Sequence, residues 1–466
     1  MSGLTVIDQY LTRYAEPESA VLEQLHAWMP EELIWSDVVV IPACNESGEF
    51  LSSQPVSCGP ALMIVVINQT PSARSDVAAA NQHLLEMIGN RFELCWSSAD
   101  SCPKTQGPGF GLHLFDDESA DRHILVVDKF SEGNQLPPKG GVGNARKIGA
   151  DLAAALIHMK RISSSWIRCT DADVQIPDSY FACTAEYDDS SDIAALIYPF
   201  QHGALEGREG QADVLLATAL YELSLRYYVA AMQAARSPYA FHTIGSTIAI
   251  HVDHYARVRG FPKREAGEDF YLLNKLAKSG RVVQMKPGSG CRPIQIEARL
   301  SDRVPFGTGA AVNKMTALDN VVEDYRFYDP RLFQLLGLWL DSWSNIWASE
   351  NPVLSPQVFG HTIEMGAHGG QVSQAEIHSL IGALAELKTE VALQHAFKQS
   401  KTFDQFARHL HTWFDAFRSL KLMHALRDQL WPSIKIRELS QNPAFVYLLD
   451  QDTDLRECYE KLDWDD

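Results

Sequence analysis

The sequence predicts an α/β protein: a mainly parallel sheet covered by helices on both faces, preceded by a helical segment and followed by a helical region. Three observations carry that expectation. Short β-branched runs without polar alternation recur as far as about residue 290, helix-like segments lie between several of them, and beyond about residue 300 the strand signal fades into helical periodicity. A strand buried on both faces has no solvent side toward which to alternate, so it reads as a continuous apolar run. Such runs alternating with helices build parallel sheets.

The elements follow in order. Within residues 1–34, Tyr10, Leu11, Tyr14, Val21, Leu22, Leu25 and Trp28 recur at helical intervals, interrupted by Pro17. Strands are expected at residues 37–41, 62–67, 124–127, 166–169, 193–198, 247–250 and 282–285. Helices are expected at 75–89, 144–161, 212–235 and 268–279, then at 331–348, 374–398 and 403–430, before a polar, acidic end at 450–466. The stretch between Leu84 and Arg122 is long and unpatterned and reads as a surface insertion, with an active-site flap as the alternative. The expected organisation is a helical segment 1–34, a sheet domain 35–298 and a mostly helical region 299–466.

Composition narrows the function classes. Of 466 residues 46% are hydrophobic and 21% charged, with a net charge of -19. That charge disfavours nucleic acid and anionic membranes as partners, and any anionic substrate must be held by a local cluster of cations. No apolar stretch approaches the roughly 18 residues of a membrane span. The first twenty residues lack a basic region followed by an apolar core, so no secretory signal is expected. Cys44, Cys58, Cys95, Cys102, Cys169, Cys183, Cys291 and Cys458 form no C-x-x-C pair. We therefore expect a cytoplasmic chain with reduced thiols, a peripheral membrane contact remaining open.

Four stretches carry chemistry. In "WIRCTDADVQIP" an apolar run ends on Asp171 and Asp173. Isolated, a D-x-D is usually two exposed loop acids. At the carboxyl end of a strand, where open α/β sheets place ligands, and on one side of an extended segment, two carboxylates suit Mn²⁺ or Mg²⁺. Such an ion fills its remaining positions with water and phosphate oxygens. "KGGVGNAR" runs from Lys139 to Arg146 into a helix. Its loose backbone and cations suit an anion at a helix N-terminus, although a plain glycine turn has the same look, and neither a Walker loop nor a dinucleotide fingerprint is present. "IPACNE" closes the first strand with Pro42, Ala43, Asn45 and Glu46. In "GFPKREAGEDFYLLNKLAKSG", Glu268 and Asp269 open a helix. They either complement its dipole or act as general base on a hydroxyl.

The order of these stretches resembles the nucleotide-sugar glycosyltransferases of the GT-A fold, a Rossmann-like class, and particularly their family 2-like members. The match covers about residues 35–290 and includes "GSTIAIHVDHYARVRGFPKREAGEDF". The resemblance implies that residues 42–46 line the nucleotide base and ribose. Lys139 and Arg146 would approach the ribose or diphosphate, and Asp171 and Asp173 would hold a metal on the donor. Gly245 and Ser246 would lie near the donor sugar and acceptor, and Asp269, with Glu268 beside it, would supply the base of an inverting hexosyl transfer. Many relatives carry a base-reading aspartate after the second strand. Here the stretch is "VVINQTPSARSD", where Asn68 substitutes. The implied donor is a UDP-, GDP- or ADP-sugar. The acceptor is a small molecule, lipid or glycan, expected against the C-terminal half.

Just beyond, "RLSDRVPFGTGAAV" suits either a lid over phosphates or a linker, and His361 and His368 are weak candidates for a third metal ligand. Two rivals stand beside this reading. Asp171-Ala172-Asp173-Val174 also resembles the haloacid-dehalogenase-type phosphohydrolases, with Asp171 as nucleophile, and a non-catalytic nucleotide-sugar binder is the third possibility.

Overall fold

Twelve strands form in the computed structural model, which describes residues 5–53, 55, 57–101, 111–188, 190–204, 211–288, 290–301, 307–359 and 372–462. In chain order they are β1 (Asp37–Ala43), β2 (Ala61–Asn68), β3 (Glu93–Ser97), β4 (Gly111–Asp117), β5 (Arg122–Lys129), β6 (Trp166–Cys169), β7 (Val174–Gln175), β8 (Ile193–Ile197), β9 (Phe200–Gly203), β10 (Ile248–His251), β11 (Arg281–Gln284) and β12 (Ile294–Glu297). Nine build one sheet in the order β11-β8-β10-β6-β1-β2-β5-β4-β3, and β7-β12-β9 build a second. The centre, β6-β1-β2-β5, is parallel. β10 runs antiparallel between β6 and β8, and β11 lies parallel to β8. The expected mainly parallel sheet, with helical regions at both ends of the chain, is what forms.

The missing polar alternation has a direct cause. Every residue of β1 and β2 is buried. Val39, Ile41, Met63 and Val65 share one core with Leu84 and Ile88 of helix Ser75–Arg91. On the other face lies helix Val142–His158, buried throughout from Gly143 to Leu156. Its Gly149 lies so close to β1 that a Cβ there would come within 2.4 Å of Val40 Cγ1. Odd and even positions of β1 thus serve opposite helices, and both must be apolar.

The N-terminal segment covers the outer side of that second helix. Helix Val6–Arg13 brings Tyr10 to Asp151, which is fully buried. The same carboxylate accepts from Tyr255 (2.7 Å), Lys147 Nζ (2.8 Å) and the Glu16 N–H (2.7 Å). Four donors, one of them the charged Lys147, compensate a carboxylate that would otherwise be costly to bury.

Three expectations change. The stretch between Leu84 and Arg122 is not merely an insertion. Its β4 pairs antiparallel with β5 and its β3 with β4, extending the sheet edge, while residues 102–110 lie outside the described residues. Nor are all thiols free: Cys183 and Cys291, 108 residues apart, form a disulfide. The pairing of β7 with β12 carries one cysteine to the other, a proximity invisible in their spacing. Finally, two predicted helices are each split. Residues 374–398 break at Lys388, which takes a left-handed φ of 61°. Residues 403–430 break before Asp415, whose side chain caps the next helix by accepting from the Arg418 N–H.

The chain divides into two compact units: Met1–Gly210 with Thr243–Ala310, and Gln211–His242 with Ala311–Asp466. The second is helical, and it takes helix Ala212–Ala234 from between strands of the sheet unit. Its core includes Trp343, tilted against His411 and edge-on to Phe414, and Tyr227 set edge-on to Phe333 and Phe445. Within the polar end, residues Thr453–Glu460 form a further helix anchored by Leu455. No helix among the described residues is long and apolar enough to cross a membrane.

Candidate active site

Arg146 is the organising charge. It enters from the first turns of helix Val142–His158 and is 3% exposed. Its Nη2 donates to Asp171 Oδ1, and its Nη1 lies 3.5 Å from Glu268 Oε1. Gly245 lies against the guanidinium so closely that a Cβ would fall 2.1 Å from Nη1, in the turn Gly245–Thr247 that also buries Ser246. Asp269, half-buried, accepts from the Phe270 N–H at 2.7 Å and from the Gly245 N–H. Thus Arg146, Asp171, Gly245, Ser246, Glu268 and Asp269, separated by more than a hundred residues, meet at one end of the sheet.

Electrostatics there balance desolvation against one shared cation. Burial raises the Glu268 carboxyl and repulsion from Asp269 and Asp171 adds to it; Arg146 opposes, leaving the group at about 7. Burial likewise raises Asp269 above the ordinary aspartate range, against the pull of Arg146. The attraction of the carboxylates holds Arg146 protonated despite its burial.

The glycine-rich loop has a packing reason. The helix starts at Val142 behind Gly141. A Cβ on Gly141 would lie 2.8 Å from the Glu265 carbonyl oxygen, and one on Gly143 would lie 2.7 Å from that of Arg264 and 3.0 Å from Glu268 Cβ. These glycines admit the backbone that delivers Glu268 and Asp269. Lys139 is exposed on the loop and takes no part in these contacts.

Asp171 and Asp173 lie in a turn between β6 and β7, not in an extended segment, so the same-side argument does not apply. Each has its own arginine. Asp173 Oδ2 lies 2.7 Å from Arg299 Nη2, which is also 2.8 Å from Glu46 Oε1. Glu297 Oε2 lies 3.8 Å from Arg299 Nη1. The small sheet sets this up: β12 pairs with β7, the Glu297 N–H donates to the Asp173 carbonyl, and Arg299 follows two residues on. Of the stretch 299–312, residues 302–306 lie outside the described residues, as do His361 and His368.

At the ends of β1, β2 and β5 sits an amide network. Pro42 and Ala43 are buried in β1, and Asn45 follows with a left-handed φ of 58°. Its N–H donates to Asn81 Oδ1 at 3.0 Å, while Asn81 Nδ2 donates to the Asn68 carbonyl at 3.0 Å and to Gln69 Oε1 at 3.3 Å. Asn68 spends its own Nδ2 on the Ala43 and Val66 carbonyls. Its amide nitrogen therefore braces strands. Asn81, Gln69, Glu297 and Arg299 were not singled out as site residues by sequence reasoning. The signal for Asn81 was an amide on the apolar face of helix Ser75–Arg91, one turn before Leu84.

Among the described residues no group of three or more His, Cys, Asp or Glu could hold a metal by itself. The donor set at Asp171 and Asp173 is two partly exposed carboxylates. That fits a hard ion which takes most of its shell from water and phosphate oxygens.

No protein-family model matches this sequence, and no curated protein matches it. Similar solved structures include residues 1–349 of S. aureus TarS in complex with UDP-GlcNAc, at 10% identity and a TM-score of 0.33, covering 78% of this chain and 92% of that one. The mannosyltransferase PcManGT from Pyrobaculum calidifontis, in complex with GDP-Man and Mn²⁺, matches at 13% identity and a TM-score of 0.31, covering 92% and 99%. At such scores the functional reading must come from the site.

Proposed function

We propose that the chain is a glycosyltransferase that moves a hexosyl group from a nucleoside-diphosphate sugar to an acceptor hydroxyl, with inversion at the anomeric carbon. The observation that carries this is Arg146, a buried cation that joins the first acid of the strand-end pair to the acid pair of a distant helix. A site for sugar–diphosphate cleavage needs positive charge toward the leaving group and a base toward the acceptor. This cluster puts both within one guanidinium's reach.

In this reading each residue has a role. Asp269, partly exposed and raised, takes the acceptor proton, since a base works best with a pKa near the operating pH. Glu268 is buried and orients Arg146. Asp171 and Asp173 would hold a divalent ion, which when bound supplies Lewis-acid neutralisation of the departing diphosphate. The segment with Asn45 and Glu46 faces the nucleotide, and Gly245, whose close approach to Arg146 leaves no space for a side chain, positions the guanidinium.

The test is a thermal-shift screen of UDP-, GDP- and ADP-sugars with and without Mn²⁺. One donor should stabilise the chain only with metal, and Asp269→Asn should keep that shift but lose transfer. Phosphate release from simple phosphoesters, lost in Asp171→Asn, would replace this reading with the phosphohydrolase. Donor binding with no transfer to any acceptor offered, by wild type as by Asp269→Asn, would leave a binding module.

A further inference from the structure

We propose that Tyr10 and Glu16 of the N-terminal segment are positioning residues: they hold the loop 259–267 and so set Glu268 and Asp269 against Arg146. For its effect on turnover, this inference rests on the transferase reading above.

The two charged halves of the site arrive on different parts of the chain. Arg146 comes on helix Val142–His158, and the acid pair stands at the end of the loop 259–267. Tyr10 touches both parts. It is 1% exposed, and its hydroxyl donates to Asp151 Oδ1 and accepts from Lys147 Nζ at 2.8 Å. Lys147 is the residue after Arg146, and successive helical positions stand about 100° apart. One side chain therefore serves the site while its neighbour serves the N-terminal segment. Tyr255, in the helix Val252–Arg257 that leads into the loop, donates to the same Asp151 oxygen at 2.7 Å. Gly260, at a φ of 68°, makes room for this joint. A Cβ there would collide with Tyr10 Oη and lie 2.9 Å from Tyr255 Oη.

Two further contacts fall on the same loop. The Tyr14 ring lies 4.7 Å from Arg259 Cζ. The Glu16 carboxylate meets Lys263 Nζ at 2.7 Å with one oxygen and 3.0 Å with the other. The Glu16 N–H is also tied to Asp151, at 2.7 Å, which returns the connection to the helix of Arg146. Residues 259, 260 and 263 are thus each met by the N-terminal segment, while Pro262, Arg264 and Glu265 meet Gly141 and Gly143. A loop held on both sides keeps its two acids in register with the guanidinium. An apolar side chain in place of Tyr10 could cover the helix, but it would not tie Lys147, Asp151 and the loop to one atom. Misplacing reacting groups by about 1 Å can cost about 10²-fold in rate, so loosening one such tie should cost about tenfold.

The experiment pairs hydrogen exchange, read by mass spectrometry, with the release of nucleoside diphosphate from UDP-, GDP- and ADP-glucose at saturating Mn²⁺. It uses the full chain as wild type, Tyr10→Phe, Lys263→Gln, Lys263→Arg and Asp8→Asn. Tyr10→Phe should raise exchange across residues 260–270 about tenfold with β1 and β2 unchanged, and lower kcat about tenfold with donor KM within about threefold. Lys263→Gln, at a mostly exposed side chain, should move both readouts the same way by about threefold, and it carries the test if Tyr10→Phe does not fold. Lys263→Arg keeps the charge and should restore both. Asp8→Asn removes a contact of the same segment that meets His158 at 2.9 Å rather than the loop; it should leave exchange at 260–270 and kcat as in wild type. Exchange that rises equally in β1, β2 and the loop, or as much in Asp8→Asn, makes the segment a mere cover and overturns the proposal. So does an unchanged kcat beside a loosened loop, and both results leave the transferase reading standing. If wild type turns over none of these donors, the exchange result alone decides the positioning.

Discussion

Replacing Arg146 by Met removes the cation shared by the acid pairs and keeps most of the side-chain volume. Breaking a buried ion pair by deleting one partner costs about 3–5 kcal/mol, because the other charge stays buried and uncompensated. Here the remaining charges titrate. Glu268 sits at about 7 in the fold, against 4.5 for an ordinary glutamate. A raised carboxyl favours the protonated fold, so its contribution is fully present below pH 4.5 and is lost as pH rises through 7. At about 1.4 kcal/mol per pH unit that amounts to about 3 kcal/mol. Arg146 lowers Glu268 and Asp269 alike. Without it both move further up, and the loss becomes larger and extends to higher pH. Arg146→Met should therefore cost about 3–5 kcal/mol at pH 8 and only about 1–2 kcal/mol at pH 5, where the acids take up protons and lost hydrogen bonding remains. Chemical denaturation followed by tryptophan fluorescence at the two pH values measures this. An equal loss at both would show that Arg146 is not the counter-charge of the acid pair.

Glu268→Gln removes the carboxyl that burial and its acidic neighbours raise to about 7, so the fall in stability as pH rises from 5 to 8 should shrink in the variant; an unchanged fall in chemical denaturation at the two pH values would show that Glu268 is not the titrating group. Asn81→Leu deletes the acceptor for the left-handed Asn45, and donor KM should rise about tenfold with kcat changed less than threefold, as steady-state kinetics would resolve. Gly143→Ala drives a Cβ to 2.7 Å from the Arg264 carbonyl oxygen, so a cost of about 1–3 kcal/mol and a fall in kcat are expected from unfolding and turnover measurements, because the displaced backbone carries Glu268.

The aspartate pair, the glycine run and the Glu268–Asp269 helix start were each legible as local chemistry. What each was for was less so. The glycines looked suited to an anion, but the close neighbours of Gly141 and Gly143 are backbone atoms of Pro262, Arg264 and Glu265 and the Cβ of Glu268. Asn68 looked free to read a base, but its amide nitrogen is bound to the Ala43 and Val66 carbonyls. Asp173 was singled out, whereas its partner Arg299 was seen only as part of a loop, since the contact spans more than a hundred residues.

By itself the sequence determined the central strands and the helices that flank them, because burial on both faces writes its demand into every consecutive residue of β1 and β2. It also determined which residue types stand at the strand ends. Only the tertiary structure decided that Ala212–Ala234 joins the helical unit, that Cys183 meets Cys291, and which arginine neutralises which aspartate. Periodicity reports the environment of one element at a time. A charge pair is a relation between elements, set by strand order and register, and no local pattern encodes it.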